Sequence, residues 1–151
     1  DAGDLTIECS ELEDTDYINN WKQYFHQFYV DDILIIPSWE EVSPQDEDKL
    51  VIHIDPGTAF GTGMHETTQL CIRQLRKYVN KDTALLDVGT GSGILSIMAY
   101  KFGAASAVGT DLDPCTIDAV QDNMESNGLS EAGFNVEVGE WEISETVSII
   151  L

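Results

Sequence analysis

Between Asp87 and Gly93 the chain reads Asp87-Val88-Gly89-Thr90-Gly91-Ser92-Gly93, a carboxylate followed by glycine at every second position. Glycines so spaced let the backbone turn sharply and let a ligand approach closer than a Cβ would permit. A helical pattern opening at Ser92 adds unpaired N–H groups and a positive dipole end. A dinucleotide site wants G-x-G-x-x-G, which would require glycine where Ile94 stands. Asp87 suits an amino-bearing ligand better than a pyrophosphate. A second acid, Asp111, closes the run Ala107-Val108-Gly109-Thr110-Asp111, 18 residues after Gly93. An acid at that place hydrogen-bonds the hydroxyls of a ribose. With no phosphate-binding lysine beside it, the pattern indicates an adenosine ligand that lacks phosphates, and makes a nicotinamide oxidoreductase the least favoured reading.

These groups need a strand, a turn and a helix to hold them. Ala84 to Val88 is an apolar run of strand length, and Ile94, Leu95, Met98, Ala99 and Phe102 share one face of the helix that follows. Phe102-Gly103 reads as its glycine cap. After Asp111, Asp113-Pro114 opens a second helix with Ile117, Val120 and Met124 inward, stopped at Asn127-Gly128. Phe134 to Val138 alternates as a third strand. Strand, helix, strand, helix, strand is the first half of a doubly wound α/β sheet. Val147 to Leu151 resembles a strand cut at its end, so the first strand is expected to carry an unpaired edge that either promotes association or is covered by another element.

Upstream, Asp4 to Cys9 reads as a strand, and Tyr17, Ile18, Trp21, Tyr24, Phe25 and Phe28 recur at helical spacing. Asp32 to Ile36 and Lys49 to Asp55 read as strands around the loop Pro37 to Asp48, where Pro44 and several acids argue against a core element. Asp55 to Gly63 is a loop in which Phe60 either plugs the edge of the core or covers a ligand. His65 to Val79 reads as a helix burying Cys71, Leu75, Tyr78 and Val79, with Thr67 and Thr68 in its first turn.

At these residues the sequence resembles the class I S-adenosylmethionine-dependent methyltransferases, and more closely the ribosomal protein methyltransferase A family, which methylates large-subunit ribosomal protein eleven. The resemblance is carried by Pro37-Ser38-Trp39-Glu40, by Asp55-Pro56-Gly57-Thr58-Ala59-Phe60-Gly61-Thr62-Gly63-Met64-His65-Glu66-Thr67-Thr68, and by Asp111-Leu112-Asp113-Pro114. It runs from about Trp21 to about Gly128, and the Asp55–Thr68 block is its most specific part. It implies S-adenosylmethionine as cofactor, a lid role for the Asp55–Gly63 loop, and cofactor contact by Thr68. It also implies a basic ribosomal protein as substrate, methylated on lysine amino groups. The family's fourth-strand Asn-Ile-Leu-Ala motif and its separate N-terminal recognition domain are not in this sequence, which suits a central segment of a longer enzyme.

The balance of 28 acids against 7 bases gives a net charge of −21. That disfavours direct nucleic-acid binding and favours a cationic partner. No apolar run approaches the roughly 18 residues of a membrane span. Cys9, Cys71 and Cys115 have no C-x-x-C spacing and read as reduced cytoplasmic thiols. His26, His53 and His65 have no metal-ligand spacing.

The fold class expected is α/β, the first half of a Rossmann-like doubly wound methyltransferase sheet preceded by a small α+β linker region. Residues 1–54 form that preceding region, and 55–151 the N-terminal part of the S-adenosylmethionine-binding domain. Candidate cofactor residues are Phe60, Thr62, Thr68, Asp87, Gly89, Gly91, Gly93 and Asp111. No catalytic residue is assigned, His65 and Glu66 being the nearest candidates for a base. The alternative to a protein-lysine methyltransferase is a non-catalytic adenosine-binding or scaffold domain with the same fold.

Overall fold

A computed structural model describes residues 25–55, 66–129 and 148–151, and the backbone of 134–138. Among the described residues there are two sheets. The smaller contains β1 (Phe28–Val30), β2 (Ile33–Ile36) and β3 (Leu50–His53), with β1 antiparallel and β3 parallel to β2. The larger is wholly parallel, in the order β6 (Phe134–Val138), β5 (Ser106–Asp111), β4 (Ala84–Val88), β7 (Ile149–Ile150). Helix α1 (Glu66–Tyr78) leads into β4, α2 (Ile94–Lys101) joins β4 to β5, and α3 (Cys115–Ser126) joins β5 to β6. Parallel neighbours require such crossovers, which cover the sheet with helices.

The expected strand at Phe134–Val138 and the helix ending at Asn127-Gly128 are observed, with Gly128 in the left-handed region at φ 65°. Three expectations are corrected, two of them here. Strand β4 has no free edge: Leu85 and Leu86 pair with Ile149 and Ile150, and the Val88 amide donates to the Leu151 carbonyl at 3.1 Å. The last residues of the chain therefore lie beside β4, opposite β5. The aromatic periodicity ending at Phe28 does not continue as helix, because Phe28 opens β1. Phe25 is nonetheless buried, edge-on to Phe28 and Trp39 with ring centroids 6.3 and 6.4 Å away. The Asp4–Cys9 strand and the Tyr17–Tyr24 part of the stripe lie outside the described residues.

One core serves both sheets. Val30, Ile33, Ile35, Ile52 and Ile54 from the small sheet pack with Ile72 and Leu75 of α1, Ile97 and Met98 of α2, and Val120 and Met124 of α3. Fully burying each such side chain stabilises the fold by about 1.5–3 kcal/mol. All four residues of β2 are buried, which is why it reads as an unbroken apolar run. On α1 the buried face is Ile72 and Leu75, whereas Tyr78 is 66% exposed, contrary to the expected stripe. The β1–β2 hairpin turns on Asp31 (φ 53°) and Asp32. Arg73 grips Asp31 at 3.1 Å, and Arg76 makes a two-pronged bond to Asp32, tying α1 to the hairpin.

Candidate functional site

The carboxyl ends of β4 and β5 meet where the strand order reverses, with β5 on one side of β4 and β7 on the other. In open parallel sheets this switch point leaves a crevice for a ligand. Asp87 stands near the end of β4 and Asp111 ends β5, with Gly89 to Gly93 wound between them. The turn is pinned to β5 by the Gly89 and Thr90 amides, which donate to the Thr110 carbonyl at 2.8 and 2.9 Å.

All three glycines have positive φ: 74° at Gly89, 54° at Gly91 and 78° at Gly93. Side-chain-bearing residues adopt that region only at a cost of about 1–2 kcal/mol. At Gly93 space is limiting too, since a Cβ would lie 3.0 Å from Cγ1 of Val120 on α3. A fourth glycine, Gly109 in β5, is equally constrained, because a Cβ there would lie 2.9 Å from the Thr90 side chain. A glycine inside a strand is the signal of such close approach.

Asp87 is 2% exposed, and its Oδ2 accepts from the Thr90 hydroxyl at 2.8 Å and the Ser96 hydroxyl at 2.9 Å. Burial pushes its pKa up, the Thr90 and Ser96 bonds pull it back, and the nearby Asp111 charge raises it further. Its carboxylate is thus turned onto the glycine turn and the first helical residues behind it. Asp111 is half-buried; its Oδ2 accepts from the Gly91 amide at 3.0 Å and its Oδ1 from the Asp113 amide at 3.0 Å. Asp113 Oδ1 in turn accepts from the amide of Cys115, the first residue of α3, at 2.9 Å. Val88 and Leu112, each following a site acid, are exposed apolar residues at this end of the sheet, 58% and 78% exposed.

Of the expected site residues, Asp87, Gly89, Gly91, Gly93 and Asp111 come together in this one turn. Thr68 lies in the first turn of α1, half-buried, on the helix that packs against α2. Phe60, Thr62 and His65 lie outside the described residues. Among the described residues no cluster of His, Cys, Asp and Glu could hold a metal ion. Also among them, no helix is long and apolar enough to cross a membrane.

Sequence reading missed the groups that brace the site. Thr90 and Ser96 could have been found as hydroxyls spaced to reach back to Asp87. Asn123 and Asn127 on α3 carry no local signal. The Asn123 amide bonds both backbone groups of Asp55 and the Ser92 carbonyl, and Asn127 bonds both backbone groups of His53. Asp55 is also held by Ser38, whose amide and hydroxyl donate to its carboxylate at 2.7 and 2.6 Å. Ser38 and Asp55 belong to two of the blocks that carry the family resemblance.

The family model described as Ribosomal protein L11 methyltransferase (PrmA) matches residues 1–151. A protein of Agathobacter rectalis named ribosomal protein L11 methyltransferase is 58% identical over 134 residues, covering 87% of this chain and 42% of its own length. One of the same name from Clostridium botulinum is 43% identical over 148 residues, covering 97% and 46%. The crystal structure of the ribosomal protein L11 methylase from Lactobacillus delbrueckii subsp. bulgaricus superposes with a TM-score of 0.66 at 36% identity, over 75% of this chain and 57% of that one. The chain spans less than half the length of those two curated relatives. On the match of the whole chain to the family model, joined to the likeness in fold, this chain belongs to the ribosomal protein L11 methyltransferase family.

Proposed function

We propose that the crevice at the ends of β4 and β5 binds S-adenosylmethionine, and that the whole protein transfers its methyl group to lysine amino groups of a basic ribosomal protein, L11. The observation that carries the reading is the pairing of Asp111 with the glycine turn: a half-buried carboxylate already fixed by the Gly91 amide, at the switch point of the sheet. The residues suit this cofactor. Three Cβ-free, positive-φ positions leave room along the turn, Asp111 supplies acceptors for two ribose hydroxyls, and no lysine or arginine stands between Asp87 and Asp111 except Lys101. Lys101 is occupied on the Asn127 carbonyl at 2.9 Å.

The cofactor, when bound, supplies an electrophilic sulfonium methyl, and the protein's work is to hold and orient it. In this reading Asp111 takes the ribose, Gly89, Gly91 and Gly93 line the approach, and Asp87 acts from below by fixing Thr90 and Ser96. Thr68, with Phe60 and Thr62 of the Asp55–Thr68 block, completes the cofactor set. A lysine amine, with a pKa of about 10.4, must lose a proton before attack, and no residue is assigned to that step. The acidic balance of −21 supports a cationic partner. Of the six described Lys and Arg side chains, Lys49, Arg73, Arg76 and Lys81 are in ion pairs with carboxylates and Lys101 is on a carbonyl, which supports a reading without direct nucleic-acid binding. We place the division between preceding region and cofactor domain at residues 54/55.

Calorimetric titration with S-adenosylmethionine, its demethylated product and NAD tests the cofactor. The first two should bind and NAD should not; the reverse order overturns the reading. Transfer of a radiolabelled methyl group from the full-length protein to L11, with mass spectrometry of the modified residues, tests substrate and lysine.

A further inference from the structure

Helix α3 and its C-cap present Asn123 and Asn127, four residues apart, to the edge of β3 that pairs with no strand among the described residues. Four helical residues rise about 6 Å, and two strand residues about 6.6 Å. The two side chains therefore match the backbone groups of His53 and Asp55, two residues apart on the strand line. Each amide imitates a neighbouring strand. Asn127 Oδ1 accepts from the His53 amide at 2.8 Å, and its Nδ2 donates to the His53 carbonyl at 2.6 Å. Asn123 Oδ1 accepts from the Asp55 amide at 2.8 Å, and its Nδ2 donates to the Asp55 carbonyl at 3.2 Å.

The second Nδ2 hydrogen separates the two residues. On Asn127 it goes to the Asn123 carbonyl of its own helix, at 2.6 Å. On Asn123 it goes to the Ser92 carbonyl at 2.9 Å, inside the glycine turn. Ser92 is wholly buried between Gly91, held by Asp111, and Gly93, which caps α2. Asn123, 1% exposed, cannot reach a ligand in the crevice, but it fixes Asp55 and the glycine turn to a single planar amide.

We infer that Asn123 is a positioning residue for the cofactor site, setting the glycine turn in register with Asp55, the residue that opens the Asp55–Thr68 block. The inference rests on the reading that this turn holds S-adenosylmethionine. Asn123→Asp and Asn127→Asp form a matched pair. Each retains one acceptor and turns two donations into oxygen–oxygen contacts, and only the first touches the glycine turn. In the full-length protein, Asn123→Asp should weaken S-adenosylmethionine binding about five- to tenfold, as loss of a bond of ordinary strength implies. Asn127→Asp should leave affinity within about twofold while lowering the melting temperature comparably. Equal effects on affinity, or none from Asn123→Asp, overturn the inference.

Should Asn123→Asp fail to fold, amide hydrogen exchange on the unaltered protein decides. Coupling between two sites is reciprocal, so saturating cofactor should slow exchange at Asp55 several-fold more than at His53. Equal slowing overturns the inference. An unaltered protein that binds no S-adenosylmethionine removes the functional reading and the inference together, whereas one that binds it with unaffected variants removes the inference alone.

Discussion

Replacing Asp111 separates two roles that its carboxylate combines. Its Oδ2 satisfies the amide of Gly91, a buried residue, at 3.0 Å, and the same group is the proposed acceptor for the ribose. Asp111→Ala removes both. Leaving the Gly91 amide without a partner costs about 1–3 kcal/mol, and in a domain of this size each kcal/mol lowers the melting temperature by about 2–4 °C. Loss of charge-assisted bonds to the ribose costs roughly 1.5–3 kcal/mol, or about one to two orders of magnitude in dissociation constant. Asp111→Asn keeps a carbonyl oxygen for Gly91 and loses the charge, together with the acceptor that Oδ1 gives the exposed Asp113 amide. Its melting temperature should therefore stay near that of the unaltered protein while S-adenosylmethionine affinity still falls at least severalfold. Calorimetry and thermal unfolding on the same samples give both numbers. An asparagine variant that binds as tightly as the unaltered protein would refute the ribose role, and an alanine variant that melts unchanged would refute the brace on Gly91.

Three further outcomes follow from the geometry. Gly93→Ala should destabilise by roughly 1–3 kcal/mol through positive φ and overlap with Val120, and by less in a Val120→Ala background; a double-mutant cycle with zero coupling contradicts the overlap. Burial raises the pKa of Asp87 above its ordinary 3.8, so its contribution to stability is fully present below that value and is lost as pH rises through the raised one. Asp87→Asn should thus gain stability relative to the unaltered protein as pH rises above 3.8, and urea midpoints that stay parallel as pH rises would show that Asp87 does not titrate as described. Asp32 behaves oppositely: its bond to Arg76 lowers its pKa to about 2, so its contribution is present above 3.8 and lost as pH falls through about 2. The pair is exposed, so the difference between Asp32→Asn and the unaltered protein should be small, vanish in acid and shrink in about 1 M salt.

The half of the fold from Ala84 to Val138 was legible because its signals are local. A five-residue apolar run, glycines at alternate positions and helical spacing of Ile94, Met98 and Ala99 each act within one or two turns of chain. The same holds for Asp111, whose position at a strand end is set by counting. What escaped depends on distance. Asn123 and Asn127 find partners 68 and 74 residues away, and an asparagine inside a helix looks no different whether it faces water or a strand. Which element covers the edge of β4 was not legible, because the short run at Ile149 says nothing of which strand it joins. The end of the aromatic stripe misled because Phe25 and Phe28 meet edge-to-face across a strand opening as readily as along a helix. Asp46 was read as a loop acid, yet it is 2% exposed and accepts the Tyr29 hydroxyl at 2.8 Å. The hairpin at Asp31-Asp32 has no glycine to announce it, and its grip by Arg73 and Arg76 comes from a helix more than 40 residues on.

The asparagine clip on β3 also governs how this protein ages. Asn127 precedes Gly128, the pairing most exposed to deamidation, in which the following backbone nitrogen attacks the side-chain carbonyl carbon and ammonia leaves. In the folded chain that nitrogen is engaged, donating to the Glu125 carbonyl at 2.9 Å, and the side-chain amide is held at both ends by His53. Chemical lifetime at this bond is therefore tied to the fraction of time the end of α3 spends open. Each conversion leaves an acid where the strand needs a donor, so the first damaged molecules open more readily than those still intact.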